Sequence, residues 1–259
     1  MSIRSKLLPR LVAIVALSIG CSASPTKVVD APKPVVVAPK PPLPAFPEGW
    51  PYAPGMGAVV GVHGMVTTDS TLATKVGQEI LSSGGNAADA AIAVAFALAV
   101  VHPSAGNIGG GGFLVARIGG IATALDFREA APAKATRDVF LDADGKPTSA
   151  SREGYRSAGV PGSVAGLHAA WTKLGSKKKT WPALVAPAIA LAEKGFVVDE
   201  GFVKVIEGTK ERLAKYPASA ALYLPDGAPP AVGSTFKNPD LAATLKRIAE
   251  QGPKGFYEG

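Results

Sequence analysis

Residues 106–132 read GNIGGGGFLVARIGGIATALDFREAAP, and their reading decides the fold class. Phe113 to Ile118 and Ile121 to Phe127 are two apolar runs rich in strand-forming residues. Gly119-Gly120 separates them, and a two-residue glycine linker between such runs predicts a tight β-hairpin. Four glycines, Gly109 to Gly112, precede the first run. They lack the Gly-Lys-Ser/Thr ending of a phosphate loop and lead into a strand, not into a helix whose N-terminus could hold phosphate. Glycines at a strand entrance are expected where two backbones pass closely. The hairpin runs out into Asp126-Phe127-Arg128-Glu129. Arg128 there is either a solvated surface charge or a group placed to hold an anion, and residue type alone leaves both open.

Upstream of the hairpin the pattern turns helical. Asp69 or Ser70 can cap a helix in which Leu72, Val76 and Ile80 share a face, and Gly84-Gly85 ends it. Asn86 can cap a second helix from Ala87 to Val101. It is apolar nearly all round, so burial on most sides is expected, with Asp89 near its positive end. Pro103 should stop it near His102. Downstream, GVPGSVAG predicts a Pro-Gly turn with Ser163 as a helix cap, and the helix should end near Gly175. Thr180 caps another helix, Gly195 stops it, and Pro187 should kink or split it. Asn238, Pro239, Leu241, Leu245, Ile248 and Gly252 mark a last amphipathic helix with its cap and stop. Strands and helices in this arrangement read as an α/β chain.

The chain has 259 residues, 47% of them hydrophobic, enough for one sizeable core. Its net charge of +7 is concentrated at the front, where Arg4, Lys6, Arg10, Lys27, Lys33 and Lys40 face only Asp30 and Glu48. The body is close to balanced. Lys177-Lys178-Lys179 has no interleaved aromatics and reads as a solvated turn, so no nucleic-acid partner is expected. Residues 1–21 have a positive start and a short apolar run from Leu11 to Ile19, too short for a span of about 20 residues. They read as an export signal. It ends at Cys21, the only cysteine, in a setting that resembles a bacterial lipoprotein cleavage site. Lipidation of Cys21 would anchor the chain to a membrane. Residues 22–56 are a proline-rich, extended linker, and residues 57–259 form the body. Export to the bacterial periplasm or outer envelope follows.

The body offers little chemistry by spacing alone. His63, His102 and His168 are far apart, and with Cys21 in the leader no metal ligand set forms. No G-x-S-x-G elbow supports a serine nucleophile. No cofactor is expected.

Six strings in order carry a resemblance: GMVTTDSTLATKVGQEILSSGGNAADAAIA, VVHPSAGNIGGGGFLV, LDFREAAP, GVPGSVAGL, PAIALAEKGF and NPDLAATLKRIAEQGPKGFYEG. Together the body resembles the large-subunit region of the gamma-glutamyltranspeptidase (glutathione hydrolase) family. That resemblance implies an α+β N-terminal-nucleophile hydrolase fold, an αββα sandwich of which this chain holds only the large-subunit part. It implies that Arg128 binds the α-carboxylate of a γ-glutamyl substrate such as glutathione, with Asp126 and Glu129 positioning the loop. It also implies that the nucleophile is the N-terminal threonine of a small subunit from the same precursor, so no catalytic residue lies in this chain. Thr67 and Thr68 are not substitutes. On this reading the sequence stops inside the large-subunit region, truncated before the small subunit, and the chain alone is inactive. A cephalosporin-acylase-like amidase and an inactive, envelope-anchored remnant are the alternatives.

Overall fold

A computed structural model describes residues 59–258. The expected export signal at residues 1–21, with Cys21, and the expected linker at residues 22–56 lie outside the described residues.

Helix α1 (Thr71–Ser82) starts where the Ser70 side chain accepts from the Ala73 amide. Helix α2 (Ala87–Val101) begins with a reciprocal capping box. The Asn86 side chain accepts from the Asp89 amide, and the Asp89 carboxylate accepts from the Asn86 amide, both at 3.0 Å. The hairpin strands β1 (Phe113–Ile118) and β2 (Ile121–Asp126) pair antiparallel from Phe113↔Asp126 to Ile118↔Ile121. Gly119 and Gly120 have φ of 58° and 83°. A two-residue turn with both central residues in that region matches the strand twist, and glycine adopts it at no steric cost.

A long irregular segment with two short 3₁₀ turns, Ser149–Ser151 and Tyr155–Ser157, leads to α3 (Ser163–Leu174). Helix α4 (Trp181–Lys194) is capped by Thr180 and stopped by Gly195 at φ 89°. Strand β3 (Phe196–Val197), α5 (Glu200–Ala214), α6 (Pro217–Tyr223) and β4 (Thr235–Phe236) follow. β3 pairs antiparallel with β4. Helices α7 (Pro239–Gln251) and α8 (Lys254–Tyr257) complete the described elements.

The core is built around α2. Its Ile92, Ala93, Phe96 and Ala97 are fully buried. It packs against α1, α3 and α4, and α4 also packs against α7. The Phe96 and Trp181 rings meet edge to face at 5.5 Å. The Trp181 indole N–H donates to the Ile248 carbonyl at 2.8 Å, so its polar tip is satisfied inside the core. A smaller aromatic cluster joins Phe196, Phe202, Tyr223 and Phe236, with Tyr223 stacked on Phe236.

Two expectations are corrected. Of the kink or split expected at Pro187, the split does not occur: α4 runs unbroken from Trp181 to Lys194. An interior proline costs about 3 kcal/mol. Leu184, Val185 and Ala188 around it are all fully buried, and a buried Leu or Val contributes roughly 1.5–3 kcal/mol, which offsets the cost. Ser163 is not a cap either. Gly162 holds the cap position, no side chain caps there, and Ser163 is the first, buried residue of α3.

Candidate functional site

The glycine cluster and the Arg128 loop are one piece of structure. The β1–β2 ladder continues one pair beyond the strands: Phe127 N–H donates to the Gly112 carbonyl at 3.0 Å, and Gly112 N–H returns to the Phe127 carbonyl at 3.3 Å. From the other side, the Gly162 and Ser163 amides both donate to the Gly110 carbonyl, at 2.8 and 2.9 Å. Ala130 and Val160 exchange both of their backbone bonds. Three backbone segments, around residues 110–112, 127–130 and 159–163, are thus stacked against each other.

This stacking needs glycine. A Cβ at Gly111 would lie 2.5 Å from the Phe127 carbonyl oxygen, one at Gly162 would overlap that same oxygen, and one at Gly166 would overlap the Phe127 ring. Phe127 therefore lies on α3 where no side chain stands, and it pins the segment that carries Arg128. The glycines let backbones approach, as the sequence led us to expect.

Asp126 takes the positioning role. Its Oδ1 accepts from the Arg128 amide at 3.0 Å, turning the chain out of the ladder. Arg128 itself is exposed at the edge of an open groove of about 640 Å³, which Glu129, Lys134, Phe140, Tyr155 and Arg156 also line. The ion pairs among the described residues are Arg137–Asp138, Lys210–Glu207, Lys215–Glu153 and Lys246–Glu193. Arg128 takes part in none of them. A guanidinium on a pinned backbone, without a protein carboxylate, can grip an external carboxylate by two parallel charge-assisted bonds.

One residue that the sequence reading missed supports the loop from behind. The Tyr257 hydroxyl, on α8, donates to the Pro161 carbonyl at 2.9 Å and accepts from the Ala165 amide at 3.2 Å. It does for the start of α3 what the absent cap would do, and it holds the Pro161-Gly162 turn on which Phe127 rests. No local signal announces it, because its partners lie 92 and 96 residues away.

Thr68, His102 and His168 have local roles. Thr68 Oγ1 bonds the Ser70 carbonyl at 2.7 Å and Thr74 Oγ1 at 2.9 Å, serving the entrance of α1. His102 is the residue that ends α2, and its ring approaches Ser104 Oγ at 3.3 Å. His168 sits against Trp171 and Trp181, with ring centroids 5.4 and 4.9 Å away, and burial holds its pKa below the usual histidine value. Among the described residues no three His, Cys, Asp or Glu side chains gather to hold a metal ion. No helix among them is long and apolar enough to cross a membrane.

Comparison with known proteins bears on what this arrangement serves. Residues 73–259 match the family model described as Gamma-glutamyltranspeptidase. The chain is 46% identical over 211 residues to the glutathione hydrolase proenzyme of Pseudomonas sp. strain A14, covering 80% of this chain and 36% of that protein. Its fold is similar to the crystal structure of Helicobacter pylori gamma-glutamyltranspeptidase, with a TM-score of 0.75 and 44% identity, covering 78% of this chain and 58% of that one. It is also similar to cephalosporin acylase from Bacillus halodurans, with a TM-score of 0.71 and 29% identity, covering 83% of this chain and 40% of that one. The chain spans about a third of the length of the curated relatives it matches.

Proposed function

The chain belongs to the gamma-glutamyltranspeptidase family, and from that premise we propose that it is the large-subunit part of an enzyme that hydrolyses or transfers γ-glutamyl groups of glutathione and related amides. The chain's own contribution is substrate capture. Arg128 grips the α-carboxylate of the glutamyl group, Asp126 fixes the loop, and Phe127 with the glycines around it fixes the backbone. The attacking group is an N-terminal threonine of the partner small subunit, activated by its own amine. That threonine displaces the amine of the γ-amide, and water or an acceptor amine then releases the glutamyl group. No step is assigned to a residue of this chain other than binding and orientation.

The observation that carries this reading is Arg128 at an open groove, its backbone pinned and its guanidinium in no ion pair among the described residues, within the stretch matched by the family model. The cephalosporin-acylase alternative has weaker support, since identity falls to 29% there. Export of the chain, and its anchoring through a lipidated Cys21, are part of the same proposal. Absence of label in the protein after growth on radioactive palmitate would refute the anchor.

The decisive test uses a precursor that joins this chain to a small subunit. Hydrogen bonds to charged groups contribute roughly 1.5–3 kcal/mol each, so Arg128→Ala should lower kcat/KM for γ-glutamyl amides about ten- to a few-hundred-fold. Arg128→Lys should recover only part, because an ammonium cannot reproduce the planar fork. Self-cleavage should proceed in both variants. Wild-type efficiency in a fully matured Arg128→Ala enzyme would return Arg128 to a surface charge. The 259-residue chain by itself should release no p-nitroaniline from a γ-glutamyl anilide.

A further inference from the structure

We infer that Lys134 and Arg156 form a second anion subsite in the Arg128 groove, which selects γ-glutamyl compounds carrying another carboxylate beyond the scissile amide. This rests on Arg128 being the glutamyl anchor and deepens that reading by naming the substrate class. Three observations lead to it.

The groove is larger than its proposed anchor needs. Its volume of about 640 Å³ falls within the range of sites that hold whole small-molecule ligands, whereas a single glutamyl group occupies only part of that space. The groove is also cationic. Arg128, Lys134 and Arg156 line it against Glu129 as its acidic residue. The charges are uncompensated as well: neither Lys134 nor Arg156 enters any ion pair among the described residues. Surface cations commonly find carboxylates nearby, as Lys215 and Lys246 do here at 3.1 and 2.6 Å. Three cations gathered on one concave surface without such partners favour a ligand with more than one negative charge.

The local structure makes the gathering dependable. Lys134 follows Arg128 on the segment that the Ala130–Val160 bridge fixes, and Arg156 lies in the 3₁₀ turn Tyr155–Ser157 that leads into that bridge. One pair of backbone bonds thus draws both arms of the groove together. Apolar Val139 and Phe140 line it too, a surface against which an uncharged linker between two carboxylates can lie. A tripeptide with an α-carboxylate at one end and a C-terminal carboxylate at the other has this pattern.

The test is competition of three probes against a γ-glutamyl anilide in the matured precursor that joins this chain to a small subunit: glutathione, glutathione with its glycine carboxylate converted to the amide, and L-glutamate. The wild-type enzyme should bind glutathione about three- to tenfold more tightly than the amide at low salt, the scale of screened, charge-assisted contacts. The preference should shrink in 0.5 M salt. Lys134→Ala/Arg156→Ala should bring the ratio to about one, and Lys134→Glu/Arg156→Glu should invert it. Both positions are exposed and unpaired, so the fold should tolerate the changes. Equal binding of the two peptides to wild type, a ratio unchanged in the double variants, or no binding of glutathione at all would overturn the subsite. Failure of the anchor looks different: Arg128→Ala would leave L-glutamate binding unchanged while the glutathione preference persisted.

Discussion

The α2-centred core and the Arg128 platform are held by different physics. In the core, side chains do the holding. Phe96, Ile92, Leu184, Leu245 and Ile248 are fully buried, and α1, α2, α4 and α7 each carry a side-chain cap. On the platform, backbone does the holding. Phe127, Gly112, Gly110, Gly162, Ala130 and Val160 bond chain to chain, and nearly every side chain from Glu129 to Ala158 is exposed or half-buried. The core gains from volume, so it tolerates no loss of atoms. The platform gains from closeness, so it tolerates no addition of them. Stability is concentrated in the first region and the proposed substrate capture in the second, and substitutions should separate the two.

The largest effect expected is in the core. Phe96→Ala removes the ring that meets Trp181 and should cost about 3–5 kcal/mol in equilibrium unfolding. A loss below about 1 kcal/mol would show that α2 is not the stabilising centre.

Asp89 should come next. It is fully buried, accepts from the Asn86 amide, and reaches the Ser176 amide at 3.2 Å. Asp89→Ala leaves those donors unmet and should cost about 1.5–3 kcal/mol. Asp89→Asn should recover part of it.

Gly162→Ala probes the platform by the opposite route. Its φ of −108° suits any residue, so the damage must come from the methyl group overlapping the Phe127 carbonyl. We expect about 1–3 kcal/mol of destabilisation and a loss of glutamyl binding comparable to that of Arg128→Ala. Unchanged binding would break the claim that closeness of backbones places Arg128.

Tyr257→Phe removes only the hydroxyl and should cost about 1 kcal/mol, seen mainly as faster hydrogen exchange at Ala165 and weaker glutamyl binding. Core amides should not change.

The smallest effect concerns pH. Burial lowers the pKa of His168, so the unfolded chain binds the proton more readily below about pH 6.5. Its contribution to stability is complete above that value and is lost as pH falls from there through the folded-state pKa. His168→Gln should flatten stability over this window and leave the platform unaffected.

The two regions also differed in how much of them could be read from sequence. Ser70, Asn86, Thr180 and Asn238 all cap the helices assigned to them, because a cap and its amide are neighbours in the chain. The hairpin was legible for the same reason. Helix α5 was missed although Asp199 caps it and Phe202 and Ile206 share its buried face. Gly201 and Gly208 dilute the helical pattern there. Pro187 did not split α4 because its cost is local, while the burial that offsets it is tertiary. In the site, Arg128 was singled out by type and motif. Its setting was hidden, because Gly110, Gly162 and Tyr257 act on it from positions far along the chain.

The Tyr257 bond also orders events in time. Its partner Pro161 precedes it by 96 residues. At a synthesis rate of about 5–20 residues per second, the tyrosine emerges from the ribosome roughly 5–20 s after the proline. For that interval the capped helices α1 and α2 and the β1–β2 hairpin have all their local partners, while the turn beneath Phe127 still lacks its latch. The nascent chain thus acquires its scaffold before the latch beneath Phe127, and the setting of Arg128 is complete only once Tyr257 has emerged.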